Sequence, residues 1–211
     1  MYVFINIIAV LFGVISVFCL LRQQKVQGKQ AVCFAALLFG LILCFGADFN
    51  LVAETKLRIG FGAIRGIVGG GAALAIVLKW YPKYFDKVLK ATIVSLPLMY
   101  SISKFSCMYV GCCHGFVYDG LFAYVHDGDS YFPVQLLEII VFALIYLLSI
   151  AVFLQKKSVY FLPNISLFAK FLLDFCREER NGVLFLSINQ IFLLGLAVIW
   201  FVYLRNKKRL P

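Results

Sequence analysis

The segment SKFSCMYVGCCHG places a lysine, three cysteines and a histidine within otherwise apolar sequence. Cys112 or Cys113 together with His114 has the residue types of a thiol nucleophile and its base. On a continuous helix adjacent side chains point about 100° apart, so at most one of these thiols pairs with the histidine. The same helix would separate Cys107 from Cys112 by about one and a half turns, which is poor geometry for a disulfide. Neighbouring cysteines also rarely supply the tetrahedral spacing of zinc, so we predict no metal site.

Three basic residues, Arg65, Lys104 and Lys170, lie within apolar stretches. A charge at the bilayer centre costs at least about 2.5–3.5 kcal/mol, so it usually faces a cavity or a partner. Asp174 and Arg177 follow Lys170 at spacings that put them on its helical face. Three cations on three helices are suited to one anionic group, which in a membrane is a lipid phosphate. Two simpler interpretations stay open: an ion pair between Lys170 and Asp174, and cations that extend to the interface.

The surroundings of the other two cations carry further signals. Lys104 shares a helical face with Cys107 and Gly111. Arg65 lies in GFGAIRGIVGGGAAL, a run of small residues that lets helices approach closely. We interpret this run as a packing surface rather than a phosphate cradle.

Membrane helices must position these residues. Hydrophobic residues make up 63% of the 211 residues, and the mean hydropathy is +0.95, whereas soluble domains are about half apolar. We predict seven membrane spans, at residues 2–21, 31–47, 59–78, 88–110, 133–154, 160–176 and 183–204. The first lacks a basic start and a small-residue cleavage site, so we interpret it as a span rather than a signal peptide. The sequence therefore predicts an all-α polytopic membrane protein with a single domain over residues 1–211.

The distribution of lysine and arginine predicts the orientation. With the N-terminus outside, the segments that face the cytoplasm hold 13 of the 20 basic residues: Arg22, Lys25, Lys29, Lys79, Lys83, Lys87, Lys90, Lys156, Lys157, Arg205, Lys207, Lys208 and Arg209. The outer segments hold Lys56, Arg58, Arg177 and Arg180. This bias predicts a cytoplasmic C-terminus. The net charge of +10 then reflects topology and attraction to anionic head groups, and we predict no nucleic-acid partner.

Four stretches, in their order along the chain, carry a resemblance to a known family. GFGAIRGIVGGG is similar to G-G-x-x-x-H-G-G-L-x-G, and SKFSCMYVGCCHG is similar to G-R-x-G-N-F-x-N-x-E-x-x-G. YFPVQLLE is similar to R-H-P-x-Q-L-Y-E, and SLFAKFLLDFCR with LSINQIF is similar to Y-x-x-x-R-F-x-x-E-F-x-R with S-x-G-Q. The chain thus resembles prolipoprotein diacylglyceryl transferase, a seven-helix bacterial membrane enzyme. It is most similar to a divergent branch with G-C-C-x-G in the signature.

The chain departs from the pattern of that family at polar positions. These positions hold Arg65, Lys104, Cys107, Cys112, Ser166, Lys170 and Asp174. The histidine of the family falls on Arg65, so the usual base is absent. Lysine replaces arginine at Lys104 and Lys170, which keeps the charge and loses the bidentate geometry toward phosphate. The resemblance therefore supports the fold more strongly than the reaction.

The resemblance implies a reaction at the outer face of a bacterial inner membrane. A diacylglyceryl group passes from phosphatidylglycerol, or a related anionic phospholipid, to the lipobox cysteine of a lipoprotein precursor, without a cofactor. Lys104, Lys170 and Arg65 would hold the leaving phosphate. His114 is the nearest replacement for the base. The implied substrate-side positions are Asp174, which orients Lys170, Arg177, which meets the head group, and Gln135, Glu138, Gly111, Cys107 and Cys112.

Other interpretations stay open at this point. A catalytically altered relative would bind phospholipid or a membrane partner, and a thiol-redox membrane protein would use Cys112 and Cys113. A disulfide from either of these to Cys176 also stays open, because both ends face the oxidising side. In the outer segment FVYDGLFAYVHDGDSYF, the stretch HDGDS predicts a turn. Its carboxylates and histidine would otherwise bind a cation.

Overall fold

The structure is a computed structural model that describes residues 2–52, 56–61, 63–126, 128–177, 182–183 and 186–207. Within these residues the chain is all-α, with seven α-helices. They are α1 (Tyr2–Gln23), α2 (Gly28–Gly46), α3 (Ala63–Trp80), α4 (Pro82–Val110), α5 (Val134–Leu154), α6 (Leu162–Leu173) and α7 (Ile188–Lys207). The chain divides into two compact units, Met1–Ser106 and Cys107–Pro211, and each is described by itself.

Five of the described helices, namely α1, α2, α4, α5 and α7, are long and apolar enough to cross a membrane. This confirms the predicted helical class and is compatible with a membrane location. The sixth predicted span is shorter than expected, because α6 has 12 residues and is therefore about 18 Å long, against a hydrocarbon core of about 30 Å. A 3₁₀ turn, Asp174–Cys176, follows it. The count of seven spans and their orientation stay predictions.

Antiparallel hairpins that the hydropathy pattern does not predict connect some of the helices. Within the described residues they pair β1 (Ala47–Val52) with β2 (Lys56–Phe61), β3 (Tyr124–His126) with β4 (Asp129–Tyr131), and β5 (Gly182–Val183) with β6 (Leu186–Ser187). All three fall at connections that the charge distribution predicts to lie outside. β2 also covers residues 59–61, which we predicted as the start of the third span, and the helix itself begins only at Ala63.

The predicted turn in HDGDS is confirmed. His126 pairs with Asp129 across the β3–β4 hairpin. Gly128 has a φ of +93°, the left-handed region that a tight turn between two strands requires. Asp127 and the side chain of His126 lie outside the described residues, so the alternative of a cation site in this loop stays untested.

Small residues let the helices of the first unit pack closely. A Cβ atom on Gly69 of α3 would overlap the backbone oxygen of Leu41 in α2, so a larger residue is excluded there. This supports our interpretation of the glycine-rich run as a packing surface. A buried hydroxyl pair joins α1 to α4, because Ser95 Oγ donates to Ser16 Oγ at 2.9 Å.

In the second unit, a capping box fixes the beginning of α7. The N–H of Ser187 donates to Gln190 Oε1 at 2.8 Å, and the N–H of Gln190 donates to Ser187 Oγ at 3.1 Å. Gln190 Nε2 also donates to the Phe171 carbonyl of α6 at 3.3 Å. The stretch SINQ, part of the resemblance, therefore fixes α7 against α6.

Candidate functional site

Four charged side chains of the second unit form one buried cluster. Lys170 Nζ lies 2.7 Å from Glu138 Oε1 and also binds Asp174 Oδ1. Arg177 Nη2 donates to Glu138 Oε1 at 3.2 Å, and Arg177 Nε lies 3.2 Å from Asp174 Oδ1. The side chains of the two carboxylates are 0% and 2% exposed, and those of the cations 14% and 16%. Each cation therefore contacts both carboxylates.

Two helices and a 3₁₀ turn bring this ion cluster together. Lys170 and Asp174 are one helical turn apart, which confirms the shared face that their spacing predicts. The 3₁₀ turn then tightens the chain, and Arg177 follows in an extended conformation at φ −86° and ψ 144°. Glu138 comes from α5, 32 residues before Lys170. The cluster therefore depends on α5 packing against α6.

The ion cluster contains equal numbers of positive and negative groups. Buried charges are tolerated when each is paired and hydrogen-bonded, because removal from water is otherwise expensive. The predicted ion pair of Lys170 with Asp174 is present, and it is half of a larger network. Asp174 Oδ2 is buried and has no hydrogen-bond partner within the residues described. A buried acceptor of this kind is ordinarily satisfied by a donor such as an ordered water.

Helix α4 ends inside the cysteine-rich segment. Gly111 has a φ of +75°, and the N–H of Cys112 donates to the carbonyl of Cys107 at 3.1 Å. A left-handed residue with this six-to-one hydrogen bond is the Schellman motif that ends helices. Our expectation that Cys107 and Cys112 lie on one continuous helix is therefore wrong. Gly111, predicted on the substrate side, has a structural role as the residue that ends the helix.

The end of α4 groups three thiols. The Sγ atoms of Cys107, Cys112 and Cys113 lie within 4.8 Å of one another. The predicted separation of Cys107 from Cys112 is wrong for the same reason, because the chain turns back at Gly111. Hydrogen bonding of the protonated Cys112 thiol with Cys107 and Cys113, burial, and charge repulsion between the three sulfurs raise the pKa of Cys112. A thiol whose pKa is raised is a poor nucleophile, which disfavours a covalent mechanism at Cys112.

His114 lies beside the thiols but is not a member of their group among the described residues. Its ring packs on the ring of Tyr131, with 4.0 Å between centroids and 32° between planes. Its Nδ1 lies 3.4 Å from the carbonyl oxygen of Gly115. These contacts indicate a positioning role for His114 in the loop, and its role as a base stays a prediction.

A side-chain hydrogen bond and a β-bridge connect the ion cluster to the thiol group. Gln135 lies three residues before Glu138 on α5, is 1% exposed, and its Nε2 donates to the Cys112 carbonyl at 2.9 Å. Gly115 forms an isolated β-bridge with Arg177. A Cβ atom on Gly115 would lie 2.6 Å from the Phe132 carbonyl oxygen, so this approach requires glycine. The second glycine of GCCHG thus holds the thiol-bearing loop against the ion cluster.

Lys104 and Arg65 belong to the first unit. Lys104 is 6% exposed, and its Nζ lies 5.0 Å from the centroid of the Tyr100 ring, which is a cation–π distance. Lys104 is therefore a buried cation in this unit rather than one that extends to an exposed surface. Arg65 lies in the first turn of α3, and its side chain is outside the described part of the chain. Convergence of these two cations with Lys170 stays a prediction.

Sequence reasoning missed two features of the second unit. It considered Cys113 with His114, with Cys112 and with Cys176 but not with Cys107, although the glycine after α4 signals a helix end that brings Cys113 next to Cys107. It did not assign Gln190, although S-x-x-Q before an apolar run is the signature of a capping box. No sequence signal pairs Glu138 with Lys170, because that contact depends on helix packing.

The second unit thus combines two chemical resources: a charge-balanced buried ion cluster and three grouped thiols. The ion cluster is suited to hold charge in an apolar environment. The grouped thiols are suited to bind a metal ion or to react with another thiol or disulfide. No protein-family model, no curated protein and no solved structure matches the chain.

Proposed function

We propose that the chain is a transferase of a bacterial cell membrane. It moves a diacylglyceryl group from phosphatidylglycerol, or a related anionic phospholipid, to the cysteine thiol of a lipoprotein precursor. One observation carries the proposal: three stretches that resemble separate motifs of the transferase family come together around the ion cluster. PVQLLE supplies Glu138, KFLLDFCR supplies Lys170, Asp174 and Arg177, and GCCHG is joined to both.

In this proposal the ion cluster acts on the leaving phosphate. Lys170 and Arg177 are held near an apolar environment by Glu138 and Asp174, so their donors are already oriented when phosphate gains charge. Oriented donors favour the transition state over the ground state, because phosphate carries more charge there. Lys104 and Arg65 are proposed as further phosphate ligands.

The donor lipid also needs a place for its acyl chains. An apolar groove of about 480 Å³ lies between α6 and α7, lined by residues that include Phe168, Phe171 and Leu194. Phe171 directly follows Lys170 on α6. A lipid with a chain in this groove would have its head group near the helix that carries the ion cluster. The finer topology is part of the proposal: seven spans, an outer N-terminus and a reaction at the outer face.

The test is lipidation of a model lipobox peptide by the full-length chain in vesicles of phosphatidylglycerol. We expect the mass increment of one diacylglyceryl group on the peptide cysteine. Lys170→Met should lower the rate about 10²–10³-fold, the usual effect of removing one such donor. Lys170→Arg should retain activity, because it keeps the charge and introduces the residue of the family at that position. Lys104→Met should also lower the rate.

A matched control uses another lysine with the same helical spacing. Lys90 pairs with Asp86 four residues away, but its side chain is 35% exposed. Lys90→Met should therefore leave the rate unchanged. No mass increment with the unsubstituted chain, or equal rates in Lys170→Met and Lys90→Met, contradicts the proposed function.

The thiol group favours a second candidate function, that of a thiol-redox membrane protein. Three Sγ atoms within 4.8 Å are close enough for two of them to form a disulfide after small side-chain rotations, by exchange with a disulfide of a partner protein that is reduced to two thiols. That function needs Cys112 and Cys113, whereas lysine substitutions should not affect it. Loss of thiol-redox activity in Cys112→Ser, together with full thiol-redox activity in Lys170→Met, favours the redox function over the transferase.

A further inference from the structure

The backbone at the end of α4 brings three thiols together. The Sγ atoms of Cys107, Cys112 and Cys113 lie within 4.8 Å of one another. Gly111 turns the chain in the left-handed region, and Gln135 fixes the Cys112 carbonyl at 2.9 Å. Cys113 itself has a φ of +63°, a conformation that non-glycine residues adopt when the surroundings stabilise it and that clusters at functional sites.

This arrangement matches the ligand set of a zinc ion with an open position. Zn–S bonds of about 2.3 Å place the sulfur atoms of a tetrahedral site about 3.8 Å apart, which small side-chain rotations reach from the observed spacing. Catalytic zinc sites use three protein ligands and keep the fourth position for water or substrate. Cys113 is exposed, so an incoming ligand can reach the group.

We propose that Cys107, Cys112 and Cys113 bind Zn²⁺ and that its fourth position takes the acceptor thiol of the lipoprotein precursor. The inference rests on the proposed transferase function, since it names how the acceptor is activated. It departs from our prediction from sequence, which disfavoured a metal site because neighbouring cysteines rarely supply the tetrahedral spacing of zinc.

Zinc would supply the thiol activation that the proposed transfer needs. His114, which directly follows the two adjacent thiols, packs its ring on Tyr131. Zn²⁺ binds a thiol as the thiolate, and the proton passes to water. The thiolate sulfur attacks the glycerol carbon that carries the phosphate ester. The S–C bond forms, the C–O bond breaks, and its electron pair leaves on the phosphate oxygen of glycerol phosphate, so no oxidant or reductant is needed.

The first experiment measures zinc binding by the reduced full-length chain in detergent, in competition with a chromophoric chelator and without lipid or peptide. We expect one Zn²⁺ per chain. Cys112→Ser and Cys113→Ser should each weaken binding at least about tenfold, the smallest effect that even outer-shell changes produce. Cys113 is exposed, so its variant keeps the test valid if the half-buried Cys112 variant does not fold. Cys19→Ser, an exposed cysteine of the first unit, should bind as the unsubstituted chain does.

The second experiment replaces zinc with Co²⁺, whose visible spectrum reports the number of thiolate ligands. A lipobox peptide should shift the spectrum from three thiolates to four, and the same peptide with serine in place of its cysteine should not. Failure to bind zinc, equal affinity in Cys112→Ser, or a spectrum that the cysteine peptide leaves unchanged overturns the inference.

The two proposals fail in different ways. Zinc binding with a cobalt spectrum that responds to the peptide, but without any lipid transfer, contradicts the transferase and leaves the thiol-binding zinc site in place. Lipid transfer at the unsubstituted rate by Cys112→Ser or by the metal-free chain contradicts the zinc inference and leaves the transferase in place.

Discussion

Two lysine–aspartate pairs in this chain have the same helical spacing and opposite surroundings. Asp86 and Lys90, near the beginning of α4, lie 2.7 Å apart with side chains 46% and 35% exposed. Lys170 and Asp174, at the end of α6, are also in contact, with side chains 14% and 2% exposed. The spacing in the sequence is the same for both pairs, so it does not predict which pair is buried. The two pairs differ in exposure because different parts of the chain pack against them.

Burial changes what the same pair of residues does. An exposed helical pair contributes about 0.3–0.5 kcal/mol and is screened by salt. The buried pair is extended by Glu138 and Arg177 into a network, because charges removed from water must be paired. An intramembrane cation in a sequence therefore indicates a partner, and only the fold says which partner. Here Glu138 is the partner that the sequence does not reveal.

The largest expected effect comes from removing one carboxylate of the buried network. Glu138→Gln keeps the volume of the side chain and leaves two cations with one carboxylate. We expect a loss of about 3–5 kcal/mol in the free energy of unfolding, because the remaining charge is buried without compensation. Unfolding with increasing SDS in mixed micelles measures it. Asp86→Asn is the matched control and should lose less than about 1 kcal/mol; equal losses would mean that burial does not distinguish the pairs.

A double substitution separates the stability of the buried pair from its function. Lys170→Met with Asp174→Leu removes both charges and leaves Arg177 with Glu138. Apolar replacement of a whole buried pair is often neutral or stabilising, so we expect the double variant to unfold within about 1 kcal/mol of the unsubstituted chain. Each single variant should be less stable than the double. Lipidation should nevertheless stay lost, and recovery of lipidation in the double variant would show that the pair is structural.

The sequence predicts the helices well and the site only in part. Apolar runs locate α1, α2, α5 and most of α4, because length and hydropathy alone decide whether a helix can span a bilayer. The shared face of Lys170 and Asp174 also follows from local periodicity, whereas Arg177, predicted on the same helical face, lies in an extended segment after the 3₁₀ turn. These are features in which neighbours along the chain determine the outcome.

The rest depends on where helices stop and on what packs against them. The thiol group was missed because we continued the helix past Gly111, although glycine after an apolar run is itself a signal for a helix end. The contact of Lys170 with Glu138 needs α5 packed on α6, and no local pattern contains it. The short α6 was predicted too long because the span was continued through the 3₁₀ turn after Leu173, in which two of the three residues, Phe175 and Cys176, are apolar.

The smallest expected effect comes from the exposed pair, and the losses in unfolding free energy of the other variants are compared with it. Lys90→Met removes one cation from the Asp86–Lys90 contact, whose side chains are both largely in solvent. We expect a change of about 0.3–0.5 kcal/mol in the free energy of unfolding, falling further as salt is raised, since mobile ions screen exposed charges and reach buried ones poorly. The Glu138→Gln loss should by contrast persist in high salt, because the carboxylate that is removed is fully covered and its interactions are screened far less. A salt dependence of the same size in both variants would place the ion cluster in contact with water, and its proposed role in holding a phosphate in an apolar setting would then be wrong.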